Sequence, residues 1–183
     1  YFFTQKIRED IFSETTRQIV RTFRELTTKI TFREYDLSHE LAKKWNVERS
    51  NTLLISPERY NIRWLGAPLG EEAMTFIEML KLVGYRKSGI SEESGKVLEK
   101  IDSPRHIKVF VSPTCPYCPQ QAVNALRATI ERPEDISVTI IDIQANPDDY
   151  QAFIDALARA GVEASANAPA WKERYDDPRD AAG

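Results

Sequence analysis

The sequence predicts an α/β fold in three layers, helices on both faces of a sheet, built as two units in tandem. Three observations carry this. Short apolar runs suited to strands alternate with stretches whose apolar residues recur at helical spacing. The element order over residues 1–87 begins again at residue 105, after a link over 88–104. A Cys-x-x-Cys stands where the first strand of the second unit meets a helix.

Tyr1-Phe2-Phe3-Thr4 is an apolar run that fits a buried strand. Ile7, Ile11, Phe12, Ile19, Val20, Phe23 and Leu26 then recur at helical spacing, so residues 6–26 form an amphipathic helix. Ile30, Phe32, Tyr35 and Leu37 read as a strand over 29–37, followed by a short helix over 40–46. Thr52-Leu53-Leu54-Ile55 is a strand bounded by Pro57, and Ile62-Arg63-Trp64-Leu65 another, ended by Gly66 and Pro68. Residues 71–83 close the unit as a helix that buries Ala73, Phe76, Ile77, Leu80 and Val83. In the link, Ser91 caps a helix with Glu92 and Glu93 in its first turn, where the helix dipole favours acids. Its apolar face is Val97, Leu98 and Ile101.

The second unit opens with a strand over 106–111 and a helix over 119–131 that buries Ala122, Val123, Leu126 and Ile130. A strand over 136–143 follows. Asn146 and Pro147 then start a helix that buries Tyr150, Phe153, Ile154 and Leu157 and stops at Gly161. Phe2-Phe3-Thr4 lies over Phe110-Val111-Ser112, a displacement of 108. Ile30–Leu37 lies over Ile136–Ile143, a displacement of 106, with Asp36 and Asp142 in register.

Composition narrows the function. An apolar share of 42% and a charged share of 29% in 183 residues fit a globular protein that can bury a core. No apolar run approaches the ~20 residues needed to cross a bilayer. A net charge of -3 gives no electrostatic case for a nucleic-acid partner. Tyr1 opens the chain without Met, and no secretory leader is visible, which reads as a processed or trimmed product.

The chemistry lies in Val109-Phe110-Val111-Ser112-Pro113-Thr114-Cys115-Pro116-Tyr117-Cys118-Pro119. Cysteines three apart on a first helical turn can close a small disulfide ring. The N-terminal thiol then meets unpaired backbone N–H groups and the positive end of the helix, which favour a thiolate. Cys115 is the candidate nucleophile and Cys118, a turn into the helix, the resolving thiol. Pro116 fits an early helical position, where a missing N–H costs little. A zinc site would need His39 and His106 beside the two cysteines, and His106 belongs at the far end of its strand, so no metal is expected. So short a loop removes little unfolded-state entropy, which argues against a purely structural disulfide. Two inert core cysteines would not explain prolines on both sides of Cys118.

This stretch resembles the thioredoxin superfamily, and Cys-Pro-Tyr-Cys is the glutaredoxin version of its motif. The wider match resembles the glutaredoxin-like protein disulfide oxidoreductases of archaea and thermophilic bacteria, which carry two thioredoxin-like units in one chain. The N-terminal domain of the flavoprotein partner of bacterial alkyl hydroperoxide reductase is similar. Phe2-Phe3-Thr4, Gly66-Ala67-Pro68-Leu69-Gly70, Ser88-Gly89-Ile90-Ser91 and Ile107 to Pro119 carry the resemblance, which spans about Tyr1 to Asp149.

Two departures qualify it. In the first unit, the displacement of 108 sets Ile7 and Asp10 against Cys115 and Cys118, so that unit is redox-dead, and no proline stands near Ser50-Asn51 where the family has a cis-proline. In the second unit, Pro169 in Ala168-Pro169-Ala170-Trp171 lies at the distance of the family's cis-proline, but the charged residues after it have no strand pattern. Either Pro169 belongs to an altered loop or the closing strands are absent, which leaves the unit incomplete at its C-terminus with a sheet edge for a neighbouring domain, partner or second copy to cover. Asp142, near the end of its strand, is expected either to relay a proton to Cys118 or to make a turn, the role for which its partner Asp36 in the first unit argues. Tyr117 reads as a rim contact shaping what docks over Cys115, and Trp45, Trp64 and Trp171 as packing residues.

The resemblance implies a cytoplasmic thiol-disulfide oxidoreductase without a bound cofactor, acting on protein disulfides or small thiols. It implies reduction by a flavoprotein disulfide reductase or a glutathione-like thiol. Two rivals stand beside that expectation: a non-catalytic thioredoxin-like scaffold, and an electron-relay domain dedicated to one partner.

Overall fold

A computed structural model describes residues 1–5 and 11–160. Two compact units divide it, Tyr1–Asn146 and Pro147–Gly183. The first holds strands β1 (Phe2–Thr4), β2 (Glu34–Asp36), β3 (Thr52–Leu54), β4 (Ile62–Leu65), β5 (Arg105–Val111) and β6 (Ile136–Asp142). Its helices are α1 (Ile11–Leu26), α2 (Glu40–Lys44), α3 (Glu72–Tyr85), α4 (Glu92–Leu98) and α5 (Cys118–Glu131). Of the second unit the described part is one helix, α6 (Pro147–Arg159).

All the described strands join one sheet in the order β2-β1-β3-β4-β6-β5. Only β3 runs against its neighbours. Alternation along each strand sends successive side chains to opposite faces. Phe2, Leu53, Ile62, Trp64, Val138 and Ile140 point into the main core with Phe76 and Met79 of α3 and Ala122 and Leu126 of α5. Phe3 and Leu54 point the other way, against Ala42 of α2 and Val47. Ile19 and Phe23 of α1 pack on the main core too, so α1, α3 and α5 cover one face and α2 the other. The sheet is thus the middle of three layers.

The strand pairing repeats along the chain, with a shift of one residue from the expected offset. Thr4 pairs with Asp36 as Val111 pairs with Asp142, and the Leu37 amide reaches the Thr4 carbonyl as the Ile143 amide reaches that of Val111. The displacement is therefore 107 for the first strand, not 108, and 106 for the second. Backbone ladders fix register more sharply than similarity between two short apolar runs can. The residues set against Cys115 and Cys118 become Arg8, outside the described residues, and Ile11.

Four other expectations change. The strand over 29–37 shrinks to Glu34–Asp36, because β1, its partner, offers only three residues of ladder. The buried stripe of α3 runs through Glu72, Thr75, Phe76, Met79 and Leu82, while Ala73, Ile77, Leu80 and Val83 are half-buried, because α3 packs on the sheet and α5 at once. Helix α4 buries nothing, and Val97 is 62% exposed. Instead the link is held by polar bonds: Ser88 Oγ donates to Glu131 at 2.5 Å, and Arg132 donates to the Leu98 carbonyl at 2.7 Å. Helix α6 likewise has no fully buried residue.

No described helix is long and apolar enough to cross a membrane. No peptide bond among the described residues is cis. At the position where the resemblance would place a cis-proline in the first unit, Asn51 takes a left-handed φ of 59° and accepts a hydrogen bond from Ser13.

Candidate active site

Strand β5 ends at Val111 and the chain turns through Ser112–Tyr117 before α5 begins at Cys118. The Cys115 amide closes that turn on the Ser112 carbonyl at 3.0 Å. Pro119 occupies the first turn of α5, where its missing N–H leaves no bond unmade. Pro116 disfavours helical geometry at the residue before it, so Cys115 is turned out of the helix. The expectation that both cysteines and Pro116 share the first helical turn is corrected: Cys115, Pro116 and Tyr117 precede the helix, and Cys118 is its first residue.

Cys115 and Cys118 are joined by a disulfide, with Cα atoms 5.5 Å apart. The backbone N–H of Cys118 donates to Cys115 Sγ at 3.2 Å. One of the helix's unpaired amides thus points at the sulfur proposed as nucleophile, the arrangement that favours negative charge there. Both cysteines are half-buried. Cys118 packs against the main core with its Sγ 3.9 Å from the Phe110 carbonyl. Tyr117, 52% exposed, stands on the rim beside exposed Pro116.

The loop between β4 and α3 buttresses this turn. The Glu71 amide donates to the Pro113 carbonyl at 3.0 Å. Gly70, at a φ of +57°, lies so close that a Cβ would overlap the same carbonyl oxygen. At Gly66, with a φ of +105°, a Cβ would come within 2.7 Å of the Asp142 Cβ. The segment Gly66-Ala67-Pro68-Leu69-Gly70 therefore packs directly against the cysteine loop and the end of β6, and needs its two glycines to do so.

Asp142 ends β6 beside Val111 and is 1% exposed. Its Oδ1 accepts from the Gln144 amide at 2.9 Å, as Asp36 accepts from the Ser38 amide at 2.9 Å, so both close the same turn. Asp142 Oδ2 has no hydrogen-bond partner among the described residues. Burial raises the Asp142 carboxyl above the usual carboxylate range, against the pull of the Gln144 and Ala145 amides.

Sequence reasoning missed Glu72. It opens α3, yet it is 1% exposed and neither carboxylate oxygen has a hydrogen-bond partner among the described residues. Burial raises its carboxyl, and the charge of Asp142 raises it further. The Thr75 hydroxyl opposes the shift in part but makes no well-formed hydrogen bond with it. An acid in a first helical turn reads as an exposed partner of the dipole, which hid it. The available signal was its place one turn before Thr75 and Phe76 on the stripe that leads to Met79 and Leu82.

His106 lies near the start of β5, at the opposite end from Cys115, and its ring bonds Ser137 Oγ at 2.7 Å and Thr139 Oγ1 at 3.2 Å. Trp64 is fully buried, and Trp45 is half-buried under the Lys44 ammonium. Pro169 and Trp171 lie outside the described residues.

Residues 105–166 match the family model of the thioredoxin domain. No curated protein is close enough in sequence to count as a match. Among solved structures, the chain is similar to a protein disulfide oxidoreductase from Aeropyrum pernix, with a TM-score of 0.71 and 22% identity over 81% of this chain and 68% of that one. It is similar to the alkylhydroperoxide reductase component AhpF of Enterococcus faecalis, with a TM-score of 0.68 and 24% identity over 82% of this chain and 73% of that one. The NTD_N/C domain of AhpF gives 0.69 and 23% over the same shares, 82% and 73%. Residues 105–166 thus match the thioredoxin-domain model, and the chain is similar in fold to a protein disulfide oxidoreductase and to the NTD_N/C domain of AhpF.

Proposed function

We propose that this chain is a dithiol-disulfide oxidoreductase with Cys115 and Cys118 as its redox pair. The observation that carries the reading is the Cys118 N–H aimed at Cys115 Sγ at 3.2 Å. In the reduced protein the Cys115 thiolate attacks one sulfur of a substrate disulfide. A mixed disulfide forms and the other substrate sulfur leaves as a thiolate that takes up a proton. The Cys118 thiol loses its proton and attacks Cys115 Sγ, which releases the second substrate thiol and closes the Cys115–Cys118 disulfide. Two electrons pass to the substrate. On this reading Asp142, buried at the end of β6 beside Val111, takes up the proton that Cys118 gives up; its burial and raised carboxyl support that role. Pro116 and Tyr117 form the rim over which a substrate docks.

The chain divides, on this reading, into a unit over 1–87 that lacks cysteines, a link over 88–104, and the redox unit over 105–183. Protein disulfides or small thiols in the cytoplasm are the substrates, and a flavoprotein disulfide reductase or a glutathione-like thiol restores the dithiol. The likeness to the alkylhydroperoxide reductase component supports a narrower version, a relay serving one partner. Among the described residues β5 is the last strand of the sheet, whereas its counterpart β1 lies between β2 and β3. A partner strand fits that edge better than a second copy, since antiparallel self-pairing about the middle of β5 would set Lys108 against Lys108.

Insulin reduction by the wild type, Cys115→Ser and Cys118→Ser tests the reading. Activity in the wild type, none in Cys115→Ser, and a trapped mixed disulfide in Cys118→Ser are expected. Equal turnover in the wild type and Cys115→Ser would remove Cys115 as the nucleophile. Turnover only when a partner reductase is added would favour the relay.

A further inference from the structure

At the end of the sheet away from the disulfide, α1, α3 and two loops ring an open cavity of about 730 Å³. It is lined at the N-terminal ends of β1 and β4, whereas Cys115 follows the C-terminal end of β5, and these strands run in one direction. The site is separate from the redox pair.

Its floor is apolar, with the rings of Phe23, Phe32, Tyr60 and Phe76 set among aliphatic side chains that include Leu80 and Val83. Among the described residues its charged lining is of one sign: Lys29, Arg59, Lys81 and Arg86 contribute, and no Asp or Glu does. In a chain with 28 acidic and 25 basic residues, a lining with four cations and no carboxylate is a pronounced bias. All four cations are exposed at the mouth, and Lys81 also pairs with Glu78 at 2.7 Å.

We propose that this cavity binds an anionic amphiphile, an acyl chain or flat apolar body lying on the apolar floor with a carboxylate or similar acid group held among the four cations. The volume lies within the ~300–1,000 Å³ that suits a small organic ligand. Walls on several sides admit a ligand end-on, whereas a peptide helix about 10–12 Å across needs an open trough. Charge complementarity selects the anion over a neutral or cationic amphiphile of the same length.

Calorimetric titration of the full chain with dodecanoate, below its micelle concentration, tests this. Saturable binding of one ligand per chain is expected, with dodecyltrimethylammonium weaker by about tenfold or more. The double substitution Arg59→Glu/Arg86→Glu should weaken dodecanoate about tenfold, a few-fold for each exposed charge. Leu80→Trp should block the floor, and because the charge reversals lie on the surface they keep the test valid if Leu80→Trp fails to fold. The Cys115→Ser/Cys118→Ser protein should bind as the wild type does, so failure of the redox reading leaves this result standing. Absence of saturable binding, equal affinity for the two amphiphiles, or indifference to the charge reversals would overturn the proposal. So would a dimer in sedimentation that Arg59→Glu/Arg86→Glu dissociates, which would make a second copy the occupant.

Discussion

Gly70 and Pro113 meet so closely that the α-hydrogen of one is the only atom that fits beneath the carbonyl of the other. The contact joins the loop before α3 to the turn that presents Cys115. Neither residue carries chemistry, yet together they set where the disulfide loop stands.

Gly70→Ala should therefore destabilise the protein by more than the ~1–2 kcal/mol that a left-handed residue with a Cβ costs alone. Gly89 is the control, since its φ of +67° is similar but a Cβ there meets nothing within 4 Å. Urea unfolding of both variants should show the larger loss for Gly70→Ala, together with slower insulin reduction. Equal losses and normal turnover would mean that the loop can move aside.

The reactivity of Cys115 should depend on the helix start. In the reduced protein, iodoacetamide should label Cys115 before Cys118 and at a pH below that needed for free cysteine, because the Cys118 amide favours the thiolate. Peptide mapping after a brief pulse gives the order. Preferential labelling of Cys118 would reverse the assigned roles.

Glu72 makes stability depend on pH in a stated direction. Its carboxyl is raised by burial above the 4.5 of a free glutamate. The fold favours the protonated form, so this contribution is complete below that ordinary value and is lost as pH rises through the raised one. Glu72→Gln stays neutral throughout. It should gain stability over the wild type at neutral pH and lose that advantage in acid, as read from urea midpoints across the range. A gain independent of pH would point to packing instead.

Arg132 ties the link to the end of α5. Its guanidinium bonds Asp135 Oδ2 through Nε at 2.9 Å and the Leu98 carbonyl at 2.7 Å. Arg132→Ala should cost about 1.5–3 kcal/mol, the range for bonds to a charged group, and should speed amide exchange across α4. Exchange unchanged in α4 would show that Ser88 and Glu131 suffice.

Local patterns made most elements legible. Helix α5, β6 and β4 needed only apolar periodicity and the prolines and glycines around them. The Cys-x-x-Cys was legible too, because its chemistry depends on residues three apart. The start of α5 lies within one residue of the expected 119, but Cys115 and Pro116 stand outside its first turn because Pro116 acts on the backbone of Cys115. The offset between the two like-paired strand couples differs by one residue from the expected one because short apolar runs can be slid over each other, whereas hydrogen-bonded ladders cannot.

By itself the sequence determined the order of strands and helices, the Cys-x-x-Cys pair and the absence of cysteine from the first 114 residues. These rest on covalent order, side-chain period and thiol chemistry. Only the tertiary structure decided that Glu72 and Asp142 are both buried, that Gly70 fits under Pro113, and that four cations line an apolar cavity. Each depends on segments far apart in the chain, and which of them meet is settled by the packing of helices on one sheet.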